Sequence, residues 1–228
     1  MATLPSLLLF ARAPVHGRVK TRLVPPLTEE GALRLYRAFL EDASRAYLAP
    51  GAWDSVLAAD PDPEHPEFAR LFAPPWRRRG QAAGDLGRRL TAAFQQEFAA
   101  GAPAAVAVGS DHPALPRRLM DEAFALLAGS RDAALVPAED GGYCAIGLCA
   151  RAPVAEVFRE IPWSTPSTLS VTRDRMRAAG LEVSLLETAY DVDRPEDLGR
   201  LRRDLARRDP AGADFPRATA RVLAEIAP

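Results

Sequence analysis

The chain has 228 residues, 48% hydrophobic and 26% charged, with 29 basic and 30 acidic side chains giving a net charge of -1. This length predicts one large domain or two small ones with a core that needs no staples, and the charge balance excludes a strongly basic, non-specific nucleic-acid binder. No apolar run approaches the roughly 18–20 residues of a membrane span, and two cysteines, Cys144 and Cys149, are too few for a disulfide framework or a zinc site.

In chain order, residues 4–11 form an apolar run of buried-strand length, followed by a loop rich in proline and arginine to Leu27. Thr28 reads as an N-cap with Glu29 and Glu30 in the first turn, and Leu33, Tyr36, Leu40, Ala43 and Tyr47 line one face of a helix over 29–48. A strand at 53–59, a short helix at 66–73, a helix from Leu86 through Leu90, Phe94 and Phe98, and a strand at 104–109 come next. A helix near 116–128 precedes paired strands at 133–137 and 143–149 around Asp140-Gly141-Gly142. Helices near 166–179 and 195–208 flank a strand at 182–187, and 215–226 is a weaker helix. Strands alternating with helices predict a single α/β domain over 1–228, three-layered α/β/α, its sheet mostly parallel with a local antiparallel element. Met1 to Phe10 lacks a basic segment, so no secretory signal is expected and the protein is expected to be cytoplasmic.

Of the 29 basic residues, 28 are arginine and one is lysine, Lys20; asparagine is absent. A GC-rich genome accounts for the bias. A lysine retained under it is a candidate for work that arginine's wide, rigid fork cannot do, with chance retention as the plain alternative.

Ligands of such sheets bind beyond the carboxyl ends of the strands, and four segments should lie there. Residues 12–23 place Arg12, Arg18, Lys20 and Arg22 on one loop, with Gly17 permitting close backbone approach; the loop suits a phosphate group or is simply solvated. It is not a P-loop, because Val19 rather than glycine precedes the lysine. In GSDHP, residues 109–113, Asp111 ends a strand and could hold a hard cation or close a turn. In DVDRPEDL, residues 191–198, Asp193 reads as an N-cap with a capping box and could also bind metal; Asp191 could serve instead. AEDGGY, residues 138–143, is a hairpin turn or a close approach for substrate. GDLGRR at 84–89 and WSTPST at 163–168 are weaker signals, Thr165 before Pro166 reading as an N-cap.

The ordered motifs ARAPVHGRVKTRL, GDLGRRL, GSDHPAL, PAEDGGY, WST and DVDRPEDL resemble a bacterial glycosyltransferase-like family with the GT-A, or nucleotide-diphospho-sugar transferase, fold. The resemblance spans roughly residues 5–205. It extends more distantly to phospholactate guanylyltransferase and molybdenum-cofactor guanylyltransferase, whose first loop ends in a pattern matched by Lys20-Thr21-Arg22-Leu23. The resemblance implies a nucleotide site formed by Arg12, Ala13, Gly17, Lys20 and Arg22, with Gly84, Asp85 and Arg88 near the base or ribose. It implies Mg²⁺ or Mn²⁺ on Asp111 and Asp193, catalytic roles for Lys20, Arg22 and Asp111, and an acceptor faced by Asp140, Gly141, Gly142, Tyr143, Ser164 and Thr165. Ser110-Asp111 stands where many GT-A glycosyltransferases carry Asp-x-Asp.

Three functions compete. Nucleotidyl transfer from a nucleoside triphosphate to a small phosphorylated or hydroxyl acceptor would release pyrophosphate and demand mainly positioning and charge neutralisation. Glycosyl transfer from a nucleotide sugar would want a further carboxylate, Asp140 or Glu139. A nucleotide-binding regulator would bind and not turn over. The expected partners are a nucleotide or nucleotide sugar and a small acceptor, with neither nucleic acid nor membrane.

Overall fold

The computed structural model describes residues 3–226. Its frame is one seven-stranded sheet: β1 (Ser6–Arg12), β2 (Asp54–Asp60), β3 (Arg77–Gly80), β4 (Ala104–Gly109), β5 (Ala133–Pro137), β6 (Tyr143–Cys149) and β7 (Val183–Leu185), in the order β3-β2-β1-β4-β6-β5-β7. Every pairing is parallel except those of β6, which runs antiparallel to both β4 and β5. The expected mixed sheet with one antiparallel element is what forms.

Alternation along β1 shows why the sheet is covered twice. Leu7, Leu9 and Ala11 enter one core, with the helices α1 (Glu29–Ala46), α2 (Pro66–Leu71), α4 (Arg118–Ala128), α7 (Pro195–Ala206) and α8 (Arg217–Glu225). Leu8 and Phe10 turn to the other, with α3 (Leu86–Ala99), α5 (Val154–Val157) and α6 (Thr168–Ala178). Each fully buried leucine or phenylalanine of these cores contributes roughly 1.5–3 kcal/mol. Thr28 caps α1 as expected, its hydroxyl accepting from the Gly31 amide at 3.0 Å.

Two N-caps differ from expectation. At α7 the cap is Arg194, and the Asp197 carboxylate accepts from the amides of both Asp193 (3.0 Å) and Arg194 (2.7 Å), so Asp193 is left free of capping. At α6 the cap is Ser167; Thr165 instead donates to the Pro162 carbonyl at 2.8 Å. The short β3 and α5 were not expected. β3, with the sequence RRRG, carries no apolar alternation because it is the sheet's edge, where charge discourages further pairing. No helix among the described residues is long and apolar enough to cross a membrane.

Candidate active site

The chain builds β2 and β3 to one side of β1 and then places β4 on the other. This reversal opens a crevice at the carboxyl ends of β1 and β4, where open α/β sheets hold ligands. The loop after β1 carries Lys20 and Arg22, and the turn after β4 carries Ser110 and Asp111. A third segment, 186–194, returns from β7 across the same end: Ala189 bridges Ala138, and the Val192 amide donates to the Asp111 carbonyl at 3.0 Å. Residues far apart in sequence thereby meet.

Lys20 is at the centre. It enters the 3₁₀ turn Thr21–Leu23 with a left-handed backbone, φ 50° and ψ 35°, a conformation that costs energy in a residue other than glycine. Its side chain is only 3% exposed. An ammonium so buried must be paired and hydrogen-bonded, and it is: Nζ lies 2.7 Å from Asp111 Oδ1, donates to the Val192 carbonyl at 2.7 Å, and stands 4.0 Å from Asp193 Oδ1. The Phe39 ring closes the far side, 5.8 Å from Nζ to its centroid. Arg22 donates to Asp193 Oδ2 at 2.6 Å from an exposed position.

Tyr36 ties the two loops together from beneath. Its buried hydroxyl accepts from the Arg12 amide at 3.0 Å, and it lies 3.0 Å from the Arg12 carbonyl and 3.1 Å from Ser110 Oγ. Burial, together with the nearby Asp111 charge, drives its pKa far up, so it is a fixed neutral hydroxyl. Nothing in the apolar-face pattern that placed Tyr36 on α1 pointed to this use.

The crevice is a cleft of about 640 Å³, within the range of small-molecule sites. Arg12, Arg18, Lys20, Arg22, Asp111, Ser164 and Asp193 line it, as do Asp60, Gln81, Leu86 and Arg89. Ala13 and Gly17 line an adjoining groove that shares Arg12, Arg18, Thr21 and Asp60 with it. A smaller cavity of about 150 Å³ lies behind Gly109 and Ser110, against Phe39, Tyr47 and Phe215; it has no room for a nucleotide.

The Gly84–Arg88 segment meets the cleft through Leu86 rather than through the expected Gly84, Asp85 and Arg88. Gly84 turns with φ 114°, Asp85 caps α3 by accepting from the Arg88 amide at 2.9 Å, and Arg89, one residue further, faces inward. Arg89 donates to the Gly84 carbonyl and to Gln81 Oε1, each at 3.0 Å, and pairs with Asp60 Oδ2 at 3.0 Å; Arg12 approaches that same oxygen at 3.5 Å. Asp60 and Gln81 were not singled out in the sequence, and Arg89 only as the last residue of the weaker GDLGRR signal. Their signal is positional: Asp60 ends β2 and Gln81 follows β3.

Of the expected acceptor residues only Ser164 lines the cleft; the 140–143 turn packs against the 163–166 segment beside it. Asp140 accepts from the Gly142 amide at 2.9 Å within the hairpin turn, and Gly141 packs so closely on Pro166 that a Cβ would stand 2.2 Å from its carbonyl oxygen. Tyr143 packs edge-on against Trp163 in the second core, centroids 6.4 Å apart. Glu139 is held by a two-pronged pair with Arg200, which keeps its carboxyl below the usual carboxylate range.

The donor set suits a hard divalent ion in part. Asp111 is 47% and Asp193 31% exposed, and both line the cleft. Among the described residues no three acidic, histidine or cysteine side chains cluster as a complete protein shell. Mg²⁺ is ordinarily held by one or two carboxylates, with phosphate and water completing the octahedron, so the pair fits an ion that arrives with phosphate.

The structure superposes on a "putative nucleotide-diphospho-sugar transferase" from Desulfovibrio desulfuricans G20 with a TM-score of 0.85 and 32% identity, covering 98% of each chain. The fold is shared at lower identity by a cytidylyltransferase from Leptospira borgpetersenii (TM-score 0.59, 12% identity, 99% and 95% covered). It is shared also by CMP:2-keto-3-deoxy-manno-octonic acid synthetase complexed with CTP (0.56, 13%, 90% and 99%). No curated protein sequence matches. The family model described as "Uncharacterized protein conserved in bacteria (DUF2064)" matches residues 43–165. The chain belongs to that family.

Proposed function

We propose that the protein is a metal-dependent transferase acting on a nucleotide-activated substrate, and that it moves a nucleotidyl group from a nucleoside triphosphate to a small acceptor. The acceptor oxygen attacks the α-phosphorus, the bond from that phosphorus to the bridging oxygen breaks, and pyrophosphate leaves. The observation that carries this reading is the convergence of Lys20, Arg22, Asp111 and Asp193 in a cleft also lined by Arg12, Arg18 and Arg89. Transfer of this kind asks for positioning and neutralisation of spread negative charge more than for covalent help.

Asp111 and Asp193 would hold the ion, which when bound neutralises phosphate oxygens. Lys20 and Arg22 would take the charge of the leaving pyrophosphate, and Arg12 and Arg18 the remaining phosphate oxygens. The Gln81–Leu86 wall would carry the base or ribose, with Ser164 towards the acceptor. A phosphorylated acceptor suits the lining, since a phosphate is already anionic at neutral pH and needs no general base.

Glycosyl transfer is the second reading, favoured by the name of the 32%-identical structure. Its extra carboxylate would have to come from somewhere other than Glu139, which Arg200 already holds. Product analysis separates the two. Nucleoside triphosphates labelled at the α-phosphorus, given with Mg²⁺ and a panel of phosphorylated acceptors, should yield pyrophosphate and a labelled acceptor. A nucleoside diphosphate freed from a nucleotide sugar would favour glycosyl transfer instead. Thermal stabilisation by a nucleotide without turnover on any acceptor would point to a regulator.

A further inference from the structure

The Lys20 ammonium stands between the two carboxylates expected to share a divalent ion, 2.7 Å from Asp111 and 4.0 Å from Asp193. An ion bound to Asp111 at the roughly 2.1 Å of a Mg–oxygen bond would place two positive charges beside a third in a pocket that leaves the Lys20 side chain 3% exposed. Poor screening makes that repulsion large. We infer that Lys20 is the built-in counter-ion of the Asp111–Asp193 pair, that ammonium and divalent ion exclude one another there, and that the ion enters only with a polyphosphate, onto which the ammonium swings.

The inference rests on the function proposed above. A polyphosphate solves both problems at once: its oxygens complete the ion's shell, and its charge gives the displaced ammonium a new partner. The rest of the site is built for the exchange. Arg22 holds Asp193 through its other oxygen, at 2.6 Å, so that carboxylate stays in place when the ammonium leaves. The Val192 amide holds the Asp111 backbone from behind at 3.0 Å. The moving group is a compact charge on a flexible four-carbon stem, which a rigid guanidinium fork could not imitate. This gives the chain's single lysine a task among 28 arginines.

That uniqueness supplies the test. The 228-residue chain labelled with ¹³Cε-lysine has one lysine side-chain NMR signal. The probes are Mg²⁺ alone and the α,β-methylene analogues of the four ribonucleoside triphosphates, without and with Mg²⁺. The Lys20 signal should hold its position with millimolar Mg²⁺ alone and move when Mg²⁺ and an analogue are added together. Mn²⁺ binding followed by electron paramagnetic resonance, without nucleotide, should be at least 10-fold tighter in Lys20→Met than in the wild type. A Lys20 signal that shifts with millimolar Mg²⁺ alone, or equal Mn²⁺ affinity in the two proteins, overturns the exchange and leaves the metal assignment standing. Absence of Mn²⁺ binding from both proteins, even with an analogue present, defeats the metal assignment itself and the exchange with it. The wild-type NMR arm decides the matter should Lys20→Met fold poorly.

Discussion

At the amino ends of the strands, Glu97 of α3 is buried at 1% exposure, accepting from Ser6 Oγ at 2.7 Å, with the half-exposed Arg77 and Arg79 closing over it. At the carboxyl ends the arrangement is reversed: the cation, Lys20, is buried, and Asp111 and Asp193 line the cleft. In the first cluster arginines shield the anion, and the group is a clamp joining β1, β3 and α3. In the second the hidden cation holds two anions at an opening, where something can meet them. The two clusters thus differ in which charge is withheld from solvent: the anion in the clamp, the cation at the cleft.

Exchanging the charge at each pole sharpens this contrast. Glu97→Gln removes the buried charge and leaves two half-exposed arginines that water can solvate, so the cost is that of lost charged hydrogen bonds, about 1.5–3 kcal/mol. Thermal or denaturant unfolding should show that loss, with turnover per folded molecule unchanged; reduced turnover would make the amino-end cluster functional. Asp111→Asn should lower turnover on the order of 10²–10³-fold, as loss of one charge-stabilising group in an active site does, and remove the metal dependence of nucleotide binding. Unchanged metal affinity would end its assignment as ligand. Lys20→Arg preserves the charge but not the fit and should cost roughly 10²-fold, the scale of a small misplacement in a site; wild-type rates would contradict the need for a compact cation.

Smaller effects test the supports. Tyr36→Phe leaves the Arg12 amide without its 3.0 Å acceptor and should cost about 1–3 kcal/mol of stability while weakening nucleotide binding. Unaltered binding would show that the two loops hold their places unaided. Asp132, remote from the cleft, accepts from the Glu182 amide at 2.8 Å and from Arg151 at 2.6 Å, in that order of influence, and its pKa is lowered. Its stabilisation is complete above the unfolded carboxylate value of about 3.9 and is lost as pH falls through the lower folded value. Asp132→Asn should flatten the acid limb of the stability curve; an unchanged limb would assign acid sensitivity elsewhere.

The layers of the fold were legible because strands and amphipathic helices announce themselves by period. β3 was not, since Arg77, Arg78 and Arg79 satisfy an edge strand without any apolar alternation. Lys20, Arg22, Asp111 and Asp193 could be picked out as chemically odd residues after strands, yet their mutual distances depend on the 186–194 segment crossing the sheet's end. Asp193 looked like a helix cap; Asp197 takes that work, a choice made by backbone geometry at Arg194 rather than by residue type. Arg89 rather than Arg88 enters the cleft through a single step of helical phase, and Tyr36 was hidden inside a face that reads as purely apolar.

The central claim is that one cleft joins Lys20, Arg22, Asp111 and Asp193 around a divalent ion and the phosphates it accompanies. A crystal structure with Mn²⁺ and a non-hydrolysable nucleoside triphosphate, phased to show the anomalous signal of manganese, tests it most directly. The account predicts a manganese peak bonded to Asp111 and Asp193 and to phosphate oxygens, with the Lys20 ammonium on the phosphates. Triphosphate bound elsewhere on the surface, or manganese on other side chains, would contradict it.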